Sequence, residues 1–274
     1  MTARDITAHY SRVDILDRLA AELGSDGVAP EDWSIATLAP YDHFHGRGLE
    51  ATEEVAAALA ARPGMRILDA GSGIGGPARW IAHKYGCRVT GVDLTSGFVA
   101  AATALSARLG MSAVTDFEVA DALQLPFSDA TFDGAYSMNV AMNIADKAGF
   151  YRSLHRVLKP GSTLVLSEIA RGEGEIRYPM PWAETAAASF LSTAEETRDG
   201  LVAAGFDVLG IGDTRAKALA FGARSREIVE RGGRPPHRAV ILIHGDVARD
   251  AMTNSARALR DGATVPIEVV ARKR

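Results

Sequence analysis

Ile67-Leu68-Asp69-Ala70-Gly71-Ser72-Gly73-Ile74-Gly75-Gly76 decides the fold of this 274-residue chain. An apolar run of strand type ends in an acid, and a glycine-rich turn follows at once. Pro77-Ala78-Arg79-Trp80-Ile81-Ala82 then reads as a helix, because proline is tolerated in a first helical turn. Glycine allows positive φ and lets a ligand lie against bare main chain. A second strand-type run, Arg88-Val89-Thr90-Gly91-Val92-Asp93, also ends in an acid. Asp93 follows the turn by roughly 20 residues, the spacing at which an α/β nucleotide-binding unit sets a carboxylate on ribose hydroxyls.

The glycine spacing chooses among ligands. A dinucleotide fingerprint has glycines at its first, third and sixth positions and brings a helix N-terminus onto a pyrophosphate. Here the glycines are Gly71, Gly73, Gly75 and Gly76, and Asp69 lies just upstream. A carboxylate beside the loop repels a pyrophosphate. It suits a ligand with a cationic end, such as the ammonium and sulfonium of S-adenosylmethionine.

Outward from this unit the chain alternates. Strand 66–70, helix 76–85, strand 88–92, helix 96–109, strand 114–119, strand 132–137, helix 146–158 and strand 162–169 follow one another with short connections. The pattern predicts an α/β fold, a doubly wound and mostly parallel sheet covered by helices on both faces. Residues 3–24 read as a helix, 25–48 as irregular, and Leu49 to Ala61 as an alanine-rich helix. Arg171 to Phe190 has no clear assignment. Beyond it come a helix over 194–204 capped by Thr193, a strand over 206–213, helices over 215–231 and 246–260, and a last strand over 266–271. Ser96 reads as the cap of the helix after Asp93.

Several motifs together resemble those of class I S-adenosylmethionine-dependent methyltransferases. Asp69 to Gly76 is similar to their motif I, and Val92-Asp93-Leu94-Thr95 to their second acidic motif. Ala120-Asp121-Ala122, with Leu125-Pro126-Phe127 and Phe132-Asp133, resembles their adenine-side segment. Arg156-Val157-Leu158-Lys159-Pro160-Gly161 resembles the turn before their fifth strand. The motifs follow in order over roughly residues 65–170. The subgroup they most resemble methylates small molecules, as in the ubiquinone/menaquinone, tocopherol and sarcosine/dimethylglycine methyltransferases.

The resemblance implies a Rossmann-like methyltransferase fold with S-adenosyl-L-methionine as cofactor. It implies an N-terminal helix and lid segment over 1–48 and a methyltransferase domain over 49–274. Strands 206–213 and 264–271 would be the antiparallel pair that ends the sheet, with a helical insertion at about 214–262 roofing the site. Asp69 would orient the methionine part, and Gly71, Gly73 and Gly75 would permit close approach. Asp93 and Leu94 would hold the ribose side, and Asp121 and Ala122 the adenine. Met138 would wall the sulfonium with polarizable surface. Tyr10, His43, His45 and Gly48 are lid candidates by the same likeness. His43 or His45 would be the base if one is needed, since imidazole titrates near neutrality. Asn139 and Asn143 would hydrogen-bond the acceptor. Glu168, Tyr178 and Trp182 would line its site, where an aromatic face can hold an organic cation.

Composition narrows the classes further. Apolar residues make up 47% and charged residues 23%, with net charge −4 and no long run of like charge. A nucleic-acid groove would need clustered Lys and Arg, so none is expected. His43 and His45 lack the further carboxylates or thiolates of a metal site, so no metal is expected. The single cysteine, Cys87, excludes an intrachain disulfide and fits a reducing compartment. With no signal-peptide core and no run of ~20 apolar residues, the expectation is a cytoplasmic protein without membrane insertion. Its partner is a small-molecule methyl acceptor, and a homodimer is left open.

These readings combine as S-adenosylmethionine-dependent methyl transfer to a small molecule, leaning to an amine nitrogen. Carbon or oxygen methylation of a lipophilic or phenolic ring is the close alternative. An NAD(P)-dependent oxidoreductase would carry a different glycine spacing and a Tyr-x-x-x-Lys, which is missing. A non-catalytic module binding the adenosyl ligand is the third alternative.

Overall fold

The computed structural model describes residues 15–244 and 248–274. Its centre is a seven-stranded sheet of order β3-β2-β1-β4-β5-β7-β6. The strands are β1 Arg66–Ala70, β2 Arg88–Asp93, β3 Thr115–Val119, β4 Phe132–Met138, β5 Leu158–Arg171, β6 Phe206–Asp213 and β7 Thr264–Lys273. The pairs β1–β2, β1–β4, β2–β3 and β4–β5 are parallel, while β7 runs antiparallel to both β5 and β6. The sheet is thus doubly wound and mostly parallel, and 206–213 with the last strand forms the antiparallel pair that the sequence predicts.

Helices alternate with the strands: α1 Ile15–Ser25, α2 Ile35–Asp42, α3 Leu49–Ala58, α4 Gly76–Tyr85, α5 Ser96–Arg108, α6 Lys147–Val157, α7 Ala194–Ala203, α8 Arg215–Glu230, α9 Ala239–His244 and α10 Ala248–Asp261. The last three fall between β6 and β7. Neighbouring residues of β1 enter different cores, as the period of two along a strand requires when both faces are covered. Leu68 packs with Phe132, Phe150, Leu154 and Phe206, whereas Ile67 packs with Val55, Ile81, Val89 and Tyr136. In α1, Ile15, Leu19 and Leu23 are buried at four-residue spacing. They join Leu38, Tyr41, Phe98 and Leu242 in a third core that ties the first helices to α5 and α9.

The segment 25–48 is not irregular. A 3-10 turn at Pro30–Asp32 precedes α2, which opens with a Ser34–Thr37 capping box. That box satisfies orphan N–H groups at the helix start and offsets the cost of Pro40 inside a short helix. α9 also goes beyond the sequence reading. Ser96 is the first residue of α5 and Thr95 holds the cap position, with no side-chain cap bond. Asp93 instead fixes the turn into the helix, its Oδ1 accepting from the Thr95 amide at 2.9 Å. Thr193 caps α7 as expected, in a capping box with Glu196. No helix among the described residues is long and apolar enough to cross a membrane.

Candidate functional site

In an open α/β sheet the ligand crevice lies at the carboxyl ends of the strands, where the winding reverses. Here the reversal falls between β1 and β4, and a cavity of about 340 Å³ opens there. Residues that follow or end three strands line it: Gly71 after β1, Asp93 at the end of β2 and Met138 at the end of β4.

Asp93 joins the two halves of the first unit. Its Oδ2 accepts from the Gly73 amide at 2.9 Å and its Oδ1 from the Thr95 amide at 2.9 Å. Burial pushes the carboxyl up, and the Thr95 and Gly73 amides oppose that. A carboxylate has about four acceptor positions, so two bonds leave capacity facing the cavity. Gly71 is needed for close packing. It has φ of +90°, and a Cβ there would lie 2.1 Å from Cγ2 of Val140, the residue two beyond β4.

Leu94, Asp121, Ala122, Met138, Asn139, Asn143 and Trp182 also line the cavity. Asn139 has φ of +56°, a region that Asn tolerates better than most residues. The Trp182 indole N–H donates to the Ser189 hydroxyl at 2.9 Å, which fixes the ring. Phe44, Phe98, Val140, Ile144, Pro181, Val240 and Ile243 complete an apolar wall. The sequence signal for the last two was the apolar run Ala239 to Ile243 inside the segment expected to roof the site.

Other sequence candidates stand away from this lining. Asp69 is buried, with Oδ2 accepting from the Tyr136 hydroxyl at 2.8 Å. Burial pushes its carboxyl up to about 7, opposed by Tyr136, and the nearby Asp93 charge adds to the rise. Gly75 packs instead against Phe117 and Arg79. Tyr178 lies in a small apolar cluster with Met142, Met180 and Trp182 but is absent from the cavity wall. Tyr10 lies outside the described residues.

Glu168 is buried, and its carboxylate is occupied by main chain rather than open to the crevice. Oε1 and Oε2 lie 3.2 and 3.1 Å from the Val140 amide, and Oε2 accepts from the Ala141 amide at 3.1 Å. Burial pushes Glu168 up to about 7, with the two amides and the Lys147 ammonium holding it from going further.

His43 and His45 are also buried and do not reach the cavity lining. His43 Nδ1 donates to Asp42 Oδ1 at 2.8 Å. His45 bonds the Gly46 carbonyl and the Thr52 hydroxyl, and burial holds its imidazole well below the ordinary value. Neither imidazole is placed as a base for a ligand in this cavity. Among the described residues no group of three or more His, Cys, Asp and Glu side chains is placed to hold a metal.

The lining fits a sulfonium nucleoside. Its acids are Asp93, Asp121 and Asp146, and no Lys, Arg or His side chain is among the described residues that form it. Such a wall favours a cation and disfavours a pyrophosphate. Gly71 and Gly73 bring main chain to the lining.

Comparison with known proteins agrees with this geometry. Residues 68–166 match the family model of a methyltransferase domain. The chain is 34% identical over 149 residues to a phosphoethanolamine N-methyltransferase of Triticum aestivum, covering 52% of this chain and 29% of that one. It is 32% identical over 169 residues to the O-methyltransferase resE of Aspergillus sclerotiorum, covering 60% and 63%. The chain therefore spans less than two thirds of the length of these curated relatives. Among solved structures, that of the [4+2]-cyclase SpnF is similar, with TM-score 0.67 and 26% identity over 95% of this chain and 93% of that one. By motif, fold and cavity, the chain is similar over residues 68–166 to a methyltransferase domain.

Proposed function

We propose that this chain transfers a methyl group from S-adenosylmethionine to a small-molecule acceptor. One observation carries the reading: Asp93, on the cavity wall, holds the glycine turn and the start of α5 together while keeping acceptor capacity for two ribose hydroxyls. Bound there, the cofactor supplies a methyl group already activated by its sulfonium. The residues of the chain would bind and orient. Asp93 and Leu94 would hold the ribose side, Asp121 and Ala122 the adenine, and Met138 would wall the sulfonium. Asp69 would act from beneath the wall by its charge. Phe44 from the N-terminal segment and Val240 with Ile243 from the insertion would roof the cavity and exclude water. Proximity and orientation can then supply much of the barrier reduction.

The acceptor is an amine nitrogen in the leading reading. Trp182 lines the cavity, where an aromatic ring would hold an organic cation, and a relative named for an amine acceptor is among those matched. Glu168 and Tyr178 add nothing to that lining. The lining supports a nucleophile that needs no base. It holds no histidine among the described residues. A carbon, hydroxyl or phenol acceptor must also give up a proton and so meets that condition less well. The single buried Cys87 supports a cytoplasmic setting, and a homodimer remains part of the proposal.

A second reading has its own support in the extended likeness to a [4+2]-cyclase. Cycloaddition also needs an apolar, shaped cavity and no base. Calorimetry with S-adenosylhomocysteine, NAD and NADP tests the cofactor, and micromolar binding of the first alone is expected. Turnover with methyl-labelled donor and a panel of amines, quinols and polyenes tests the reaction. Label in the product supports methyl transfer. An isomeric product without label supports cyclisation.

A further inference from the structure

Glu168 sits toward the carboxyl end of β5, two strands from the glycine turn, and its carboxylate ends on the amides of two consecutive residues after the intervening β4. Those residues belong to the loop that forms one wall of the cavity. Asn139 holds a left-handed backbone, Val140 fills the space above Gly71, and Met142 and Asn143 face the cavity. Two parallel N–H groups pointing at one buried carboxylate leave the loop little freedom. We propose that Glu168 is a positioning residue: its carboxylate clamps the Val140 and Ala141 amides and so sets where Asn139, Met142 and Asn143 stand relative to the bound ligands. This goes beyond the role of substrate contact expected from the sequence. Its catalytic consequence rests on the methyl-transfer reading, although the clamp itself does not.

The groups that face this carboxylate are few. Lys147 and Tyr151 approach from α6, and the Ser137 hydroxyl of β4 lies 3.5 Å from Oε1. Lys147 Nζ is spent on the carbonyls of Ile144 and Phe190, and its ammonium is lowered to about 8 by burial, with Glu168 and Glu196 opposing. Burial pushes the Tyr151 phenol up to about 12, beyond the working range. An ionised Glu168 accepts from both amides, whereas a protonated one presents an O–H where an N–H already points. The clamp therefore tightens as pH rises through about 7.

The sequence provides a clean probe. Asn139-Val140 is the only Asn-Val pair in the chain, so protein labelled with carbonyl-13C Asn and 15N Val shows one selected amide, that of Val140. In the wild-type protein this resonance should move downfield with a midpoint near pH 7. Glu168→Gln, close in shape, should abolish the transition. Lys147→Met should keep it, with the midpoint shifted upward. A Val140 amide shift that is the same in wild type and Glu168→Gln across pH 5 to 9, or a transition that disappears in Lys147→Met, would each overturn the clamp. With an acceptor in hand, wild-type kcat should rise through the same midpoint. Turnover of Glu168→Gln should then fall roughly tenfold to a hundredfold, without pH dependence there and with the donor KM unchanged. A variant with wild-type turnover and profile overturns the positioning role. Wild-type protein that moves no methyl group ends the methyl-transfer reading instead, and the Val140 titration still decides the clamp.

Discussion

Arg79 and Asp42 form a buried ion pair, Nη2 donating to Oδ2 at 2.9 Å, and it locks the N-terminal segment onto the glycine turn. Arg79 Nη2 also donates to the Ile74 carbonyl at 2.7 Å, inside that turn. Gly76 permits the approach, because a Cβ there would lie 2.2 Å from the Asp42 carbonyl oxygen. Burial pushes the Asp42 carboxyl up, but His43 and Arg79 more than offset it and hold the group below its usual range. Removing one partner of a buried pair leaves an uncompensated charge, which typically costs about 3–5 kcal/mol. Asp42→Ala should lose that much in denaturant unfolding. Glu53→Ala, which breaks the exposed pair with Lys84, should change stability little. Equal effects would show that the buried pair has no special role.

Asp93 offers the direct test of the cofactor site. Charge-assisted hydrogen bonds contribute about 1.5–3 kcal/mol each. Asp93→Ala should therefore weaken S-adenosylhomocysteine binding by at least tenfold in calorimetry, while Asp121→Ala should act separately on the adenine side. Unchanged affinity in Asp93→Ala would remove the ribose assignment.

Gly71 and Val140 should be energetically coupled. Gly71→Ala places a methyl into the Val140 side chain and asks alanine to hold φ of +90°. The expected loss is about 2–4 kcal/mol, from overpacking together with backbone strain. Val140→Ala in the same chain should recover the packing part, leaving a coupling of about 1 kcal/mol or more in the double-mutant cycle. Strict additivity would mean that the two residues do not meet.

His237 should make the fold acid-sensitive. Its Nε2 donates to the His43 carbonyl at 2.7 Å, and burial, opposed by that bond, pushes the imidazole down to about 4. An unfolded histidine titrates near 6.5. Between those values the unfolded chain binds the proton more readily, so stability is complete above pH 6.5 and falls as pH drops toward 4. Thermal melts across that window should show a falling Tm. In His237→Leu the Tm should be lower at pH 7, yet decline less steeply with acid. Parallel declines would exclude His237 as a source of the sensitivity.

Much of the architecture was legible because buried parallel strands read as continuous apolar runs. The stretches ending at Ala70, Asp93 and Met138 are largely of this kind, the edge strand ending at Val119 alternates instead, and each was placed within a residue or two. α2 was hidden by its eight-residue length and by Pro40, and its capping box is a local signal that could have revealed it. α9 was hidden because a run of five apolar residues, Ala239 to Ile243, fits a short strand or a buried helix equally well.

What the sequence determined by itself was the order of strand, turn and helix, and the placement of acids at strand ends. Those follow from backbone stereochemistry and from periodic burial, which act over a few residues. Only the tertiary structure decided which acid does what. Asp69 and Asp93 have nearly the same local setting, yet one is covered by Tyr136, 67 positions away, and the other opens onto the cavity. Likewise Glu168 meets amides 28 and 27 positions earlier, and the His43 carbonyl meets an imidazole 194 positions later. Such pairings depend on how the sheet is wound, because side chains from distant strands meet only after the chain has crossed over, and no local spacing records that.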